Sequence, residues 1–117
     1  MKSNVLEIKH RDADEVKIFD LSGDFTLFAD DAVNLHIKPI INDGAIKLIL
    51  NFTDTGYINS SGIAIIIGLV TLLSNKGGRF RSFGLSPHFQ KVFTMVGLTQ
   101  YMDLYENEEE ALNSFNS

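Results

Sequence analysis

Residues Lys47 to Asn75 read KLILNFTDTGYINSSGIAIIIGLVTLLSN, and the hydrophobic period changes partway along. From Lys47 to Phe52 the apolar residues form a short run bounded by turns, which predicts a central strand covered on at least one face. From about Ser61 to Asn75 they follow the helical period instead. Between the two, Tyr57 to Ile63 passes from strand-like sequence straight into the helix, with Ser60, Ser61 and Gly62 at the turn. On a wheel of roughly 100° per residue, Ile63, Ile66, Ile67, Val70 and Leu73 make a core face. Ile65, Leu69 and Leu72 lie nearly opposite, and Ala64, Gly68 and Thr71 form a narrow strip of small residues. A helix apolar on most sides is enclosed by neighbours or turns a greasy face outward. A neighbouring helix and a partner protein both fit.

On the N-terminal side, Val5–Ile8 and Val16–Leu21 alternate as strands, with a polar hairpin at Arg11–Glu15. A helix is expected from about Leu27 to Ile41, carrying Ala32, Val33, His36, Ile37 and Ile40 on one side. Pro39 lacks an N–H and crowds the preceding turn, so this helix kinks or ends early. On the C-terminal side, Arg79–Phe83 and Met102–Tyr105 are short strands. Ser86 as N-cap, Pro87 at the first helical position and Gly97 in the left-handed C′ position delimit a third helix. Its Phe89, Val92, Phe93 and Val96 should face the sheet. Asn107 opens a fourth, about Glu108 to Phe115, whose glutamates complement the helix dipole as a solvated charge run. The order predicts an α/β fold: a small mixed β-sheet of four to five strands, covered by about four helices through right-handed crossovers. No repeat, linker or low-complexity tract divides residues 1–117, so one domain is expected.

Composition narrows the function. The 117 residues carry ten Lys+Arg against fifteen Asp+Glu, a net charge of −5, which argues against a nucleic-acid binder. There is no cysteine, hence no disulfide or thiolate zinc site, in keeping with a reducing cytoplasm. No basic segment precedes an apolar run at the N-terminus, so no secretory signal is expected. The apolar stretch Ile63–Leu73 is about half of the ~20 residues a membrane span needs, so direct insertion is not expected.

Three kinds of catalytic site fail on spacing. A nucleophile elbow needs Gly-x-Ser-x-Gly, but Ile58-Asn59-Ser60-Ser61-Gly62 lacks the first glycine. A phosphate-binding loop needs Lys after its second glycine, where this chain has Ile63. His10, His36 and His88 are scattered, with no ligand spacing for a metal, and His36 is expected on a half-buried helix face. No enzyme activity, metal or cofactor is expected. At the strand–helix junction, one of Ser60 and Ser61 suffices to cap the helix. The other hydroxyl either is incidental or marks a modified or phosphate-binding position, since a helix start offers free N–H donors and a favourable dipole.

The run Asn51-Phe52-Thr53, followed by Tyr57-Ile58-Asn59-Ser60-Ser61-Gly62-Ile63-Ala64, resembles the signature of the STAS domain family, the anti-sigma factor antagonists. That signature has Asp-Leu-Ser/Thr, a short gap, then Phe-Ile-Asp-Ser-Ser/Thr-Gly-Leu-Gly. Leu21-Ser22-Gly23-Asp24-Phe25 is similar to the family's Leu-x-Gly-Glu-Leu, Gly77-Gly78 precedes the fourth strand, and Ser86-Pro87 with Phe93 and Gly97-Leu98 matches a further motif. Four motifs in order cover nearly the whole chain.

The resemblance implies a cytoplasmic bacterial regulator of transcription that does no chemistry itself and works by partner switching. It binds an anti-sigma factor that is also a serine kinase, freeing a sigma factor; phosphorylation ends the complex and a PP2C-type phosphatase restores it. By position the acceptor is Ser60, with Ser61 as neighbour and helix cap. The docking surface it implies comprises Asp24, Thr26, Asn59, Ser60, Ser61, Gly62, Ile65 and Leu69. Two positions depart from the pattern: Asn59 and Thr26 stand where the family has aspartates. A phosphate on Ser60 therefore meets less internal repulsion, and a kinase meets altered surroundings. The same fold also serves as an accessory or scaffold subunit in lipid or anion transport and in stress-signalling complexes, which is the alternative reading.

Overall fold

Leu48–Ile58 becomes a strand twice as long as its apolar run, and it lies at the centre of the sheet. The structure is a computed structural model and describes residues 5–116. The first residues, on which the expectation about a secretory signal rests, lie outside that range. In chain order the elements are β1 (Glu7–Ala13), β2 (Val16–Phe25), a 3-10 turn (Leu27–Ala29), α1 (Asp30–His36), α2 (Lys38–Asn42), β3 (Leu48–Ile58), α3 (Ser60–Asn75), β4 (Phe80–Phe83), α4 (Pro87–Met95), β5 (Met102–Tyr105) and α5 (Glu108–Asn113).

The five strands lie in the order β1-β2-β3-β4-β5. β1 is antiparallel to β2, and every later neighbour is parallel. Each parallel crossover moves one strand further in the same direction. Right-handedness then puts the connecting helices on a single face of the sheet. The main core shows this arrangement: Val33, Ile37, Ile41, Ile66, Leu69, Val70, Leu73 and Phe93 pack against Phe19, Leu21, Leu48, Leu50, Phe52, Phe80 and Met102. Alternate strand residues point the other way, and there α5 covers part of the sheet, with Ala111, Leu112 and Phe115 over Val16, Ile18, Ile49 and Phe83.

Several expectations change in the folded chain. The first helix is divided: a 3-10 turn precedes α1, and α2 begins afresh at Lys38 with Pro39 in its first turn, where a missing N–H does no harm. His36 is exposed rather than half-buried, because Val33, Ile37 and Ile41 take the inner side. The polar hairpin shrinks to Asp14-Glu15, with β1 running on through Arg11 to Ala13. In α4 the N-cap Ser86 and left-handed Gly97 stand as expected, yet only Phe93 is fully buried and Val96 is exposed beyond the sheet. The glutamate run is not wholly solvated. Glu108 binds the Arg11 guanidinium at 2.6 Å, and Arg11 in turn grips Asp20 at 2.6 and 2.9 Å.

Candidate functional site

The far ends of β2 and β3 extend past the rest of the sheet. β4 pairs only with Ile49–Asn51, whereas β2 follows β3 on to Phe25↔Ile58, with shifts in register after Asp20 and after Gly23. Asn51 organises the first irregularity. Its amide donates to Asp20 at 2.8 Å, while its carbonyl accepts from both the N–H and the hydroxyl of Thr53 at 3.0 and 2.6 Å. The two-stranded projection ends where Asn59 N–H donates to the Phe25 carbonyl at 3.2 Å. That bond places the start of α3 directly beside the residue before Thr26.

At this junction the helix is capped by Asn59, not by either serine. Asn59 is extended, and its side-chain oxygen accepts from Gly62 N–H at 2.9 Å. Ser60 and Ser61 are thus the first two helical residues. Ser60 is exposed and Ser61 half-buried, and among the described residues neither hydroxyl has a hydrogen-bond partner. A helix start leaves its first N–H groups without intrahelical partners. Here Asn59 takes those of Gly62 and Ile63, through its side chain and its carbonyl, and the N–H groups of Ser60 and Ser61 are left over. An anion on the Ser60 oxygen would find those donors and the positive end of a 16-residue helix.

Gly62 is buried and lies where β2 and α3 touch. A Cβ there would overlap the Phe25 carbonyl oxygen and lie 2.6 Å from its carbon. Only glycine allows the approach, so Gly62 shapes the junction from inside rather than docking a partner. Leu69 also leaves the docking surface: it is fully buried, on the inner side of α3 with Ile66, Val70 and Leu73. The wheel left it off the core face because it centred that face about half a residue step too far round. Ile67, expected inside, is exposed, and Ile65 is half-buried against the core. The outward side of α3 carries Ser60, Ala64, Ile67 and Gly68.

Beside the junction, Asp24 is half-buried and its carboxylate lies close to Gly56, 3.6 Å from where a Cβ would stand. Thr26 caps the 3-10 turn, its hydroxyl accepting from Phe28 N–H at 3.3 Å. The turn packs against α3 and holds two residues whose exposure the sequence did not reveal, Leu27 and Phe28. The available signal was Asp30-Asp31, an acidic first turn that starts the α-helix after Leu27-Phe28-Ala29, with Thr26 as a cap for the short turn before it. Asp24, Thr26, Asn59, Ser60 and Ser61 are brought together at one end of the sheet. The three histidines are dispersed: His10 pairs with Asp12, His36 is exposed, and His88 lies edge-on to Phe89.

On the other side of the sheet, at the start of α5, Arg11 bridges Asp20 and Glu108. The Arg11 guanidinium, aided by the Asn51 amide, holds the Asp20 carboxyl below the usual aspartate range. This cluster ties α5 to β1 and β2.

A STAS domain family model matches residues 7–111. The chain is 28% identical to the anti-sigma F factor antagonist of Paenibacillus polymyxa, over 92% of this chain and 91% of that protein. It is 26% identical to the anti-sigma-B factor antagonist of Listeria monocytogenes, over 96% of each. Among solved structures, the Bacillus cell fate determinant SpoIIAA in its phosphorylated form superposes with a TM-score of 0.73 and 27% identity, covering 93% of this chain and 99% of that one. No helix among the described residues is long and apolar enough to cross a membrane.

Proposed function

The chain belongs to the STAS domain family, and on that premise we propose that it is an anti-sigma factor antagonist working by partner switching in the cytoplasm. In its unmodified form it binds an anti-sigma factor that is also a serine kinase, and so releases a sigma factor. The kinase moves the γ-phosphoryl group of ATP to the Ser60 hydroxyl, and a PP2C-type phosphatase removes it by hydrolysis. The chain binds and is modified; it does not catalyse.

One observation carries this reading: the Ser60 hydroxyl is exposed at the start of α3 and, among the described residues, holds no structural bond, because Asn59 does the capping. A kinase can therefore take its proton without unfolding anything. The names of the relatives support the antagonist role over that of a transport accessory. A phosphate adds about −1.5 to −2 charges. On the free chain the unpaired N–H groups and helix dipole offset that charge, and neither Asn59 nor Thr26 opposes it. In the complex it would be pressed against the partner's surface with water excluded, where an uncompensated charge is costly. Losing about 2.8 kcal/mol would weaken binding roughly a hundredfold, enough to change partners.

The test is phosphorylation by the cognate kinase with ATP, followed by intact mass. The chain should gain one phosphoryl group, Ser60→Ala none, and Ser60→Asp should lose the kinase in a binding assay while staying folded. No mass gain, or a gain that persists in Ser60→Ala, would overturn the reading.

A further inference from the structure

We propose that the Leu27–Phe28 turn is the apolar anchor by which the Ser60 face engages its partner, and that the partner offers an apolar pocket flanked by lysine or arginine. This deepens the reading above and rests on it. Leu27 is 63% and Phe28 76% exposed, adjacent in the chain and both large. They are not on a loose loop. Thr26 caps the turn through its hydroxyl, its carbonyl accepts from Ala29 N–H at 2.9 Å, and Ala29 is fully buried beneath. The backbone is held on both sides while the two side chains project. With the backbone already fixed, binding has only the two side chains left to order, which suits an interface hot spot.

The charge around the turn selects the partner. The two segments that build this face, Ile18–Ile37 and Leu48–Asn75, contain no lysine or arginine, yet they include Asp24, Asp30 and Asp31 beside the turn. Glu106, following β5, adds to the same end of the sheet. At the opposite end, where the parallel strands begin, cations stand close to acids: Lys17 to Asp12, Lys47 to Glu15 and Arg79 to Asp103. The anchor is thus apolar, and the two segments that build its face bring only acidic charge to it. A second copy would bring acid against acid, and an anionic lipid surface would be repelled, whereas a basic rim around an apolar pocket complements it.

The test uses the anti-sigma factors of the chain's own genome, each purified and titrated against wild type, Phe28→Ala, Leu27→Ala, Ser60→Asp and Met95→Ala. Met95 is equally exposed, at the far end of α4, and serves as the apolar control. We expect Phe28→Ala to weaken binding about 30-fold or more, with Met95→Ala within about threefold of wild type. Raising salt from about 0.05 to 0.3 M should slow association, less so for the Asp30→Asn/Asp31→Asn variant. If a factor binds wild type and rejects Ser60→Asp but holds Phe28→Ala as tightly as wild type, the anchor is refuted and the antagonist reading stands. Equal losses in Met95→Ala, or an association rate indifferent to salt, also refute the proposal. If no factor binds wild type, the antagonist reading falls and the anchor with it.

Discussion

Two glycines in one helix should respond to alanine with opposite signs. Gly68 is on the outer side of α3, and outside its own helix backbone nothing lies within 4 Å of the Cβ an alanine would add. Helix propensity alone then governs, and Gly68→Ala should stabilise the fold by up to about 1 kcal/mol. Gly62 is six residues earlier, against the Phe25 carbonyl, where the added carbon would meet backbone on both the oxygen and the carbon. Overpacking costs about 1–3 kcal/mol, and backbone has no rotamer by which to yield, so the upper figure applies. Set against a propensity gain of up to about 1 kcal/mol, Gly62→Ala should lose roughly 2 kcal/mol. At about 4–8 °C per kcal/mol for a domain near this size, the midpoint should fall by roughly 8–16 °C, and Gly68→Ala should rise by up to about 4–8 °C. Thermal and urea unfolding of the two variants beside wild type measures both. Gly62→Ala as stable as wild type or more so would refute the close approach of β2 and α3, and with it the placement of Thr26 beside Ser60.

Asn59→Ala should cost about 1 kcal/mol by urea unfolding through loss of the cap, while Asn59→Asp keeps the cap and stays near wild type. Leu69→Ala should cost about 2–5 kcal/mol and Ile67→Ala far less, since the first is buried and the second exposed. Acid should destabilise the fold through Asp20. Its folded carboxyl is held below the usual range by Arg11, so this contribution is intact above the unfolded value of about 3.9 and is lost as pH falls below it. Asp20→Asn should therefore be less stable than wild type at neutral pH, and the gap should narrow toward about pH 3 in urea titrations.

The fold was legible where punctuation and period agreed. The parallel sheet and its crossover helices follow from KLILNF, from the apolar period after Ser61, and from the Ser86-Pro87 and Gly97 boundaries. The reach of β2 and β3 was not legible. Thr53–Tyr57 has no apolar run, and it becomes strand because β2 supplies its hydrogen bonds and Asn51 absorbs the irregularity. Pattern alone also misjudged α3. A helix rich in isoleucine and leucine all round has no unambiguous inner side, and only packing on Phe19, Leu50 and Phe52 puts Leu69 inside and Ile67 outside.

The candidate site divides in the same way. The order of residues alone determined that a serine pair stands where a strand turns into a hydrophobic helix, and that no lysine or arginine accompanies it. Which residue caps the helix depended on tertiary structure. The bond from Asn59 N–H to the Phe25 carbonyl fixes the entry of the chain, so the cap falls one residue before the serines and leaves Ser60 free. The exposure of Phe28 likewise depended on which neighbours the fold brought near, since an apolar side chain is buried only if another element arrives to cover it. Here the 3-10 turn buries Ala29 and leaves Leu27 and Phe28 facing outward.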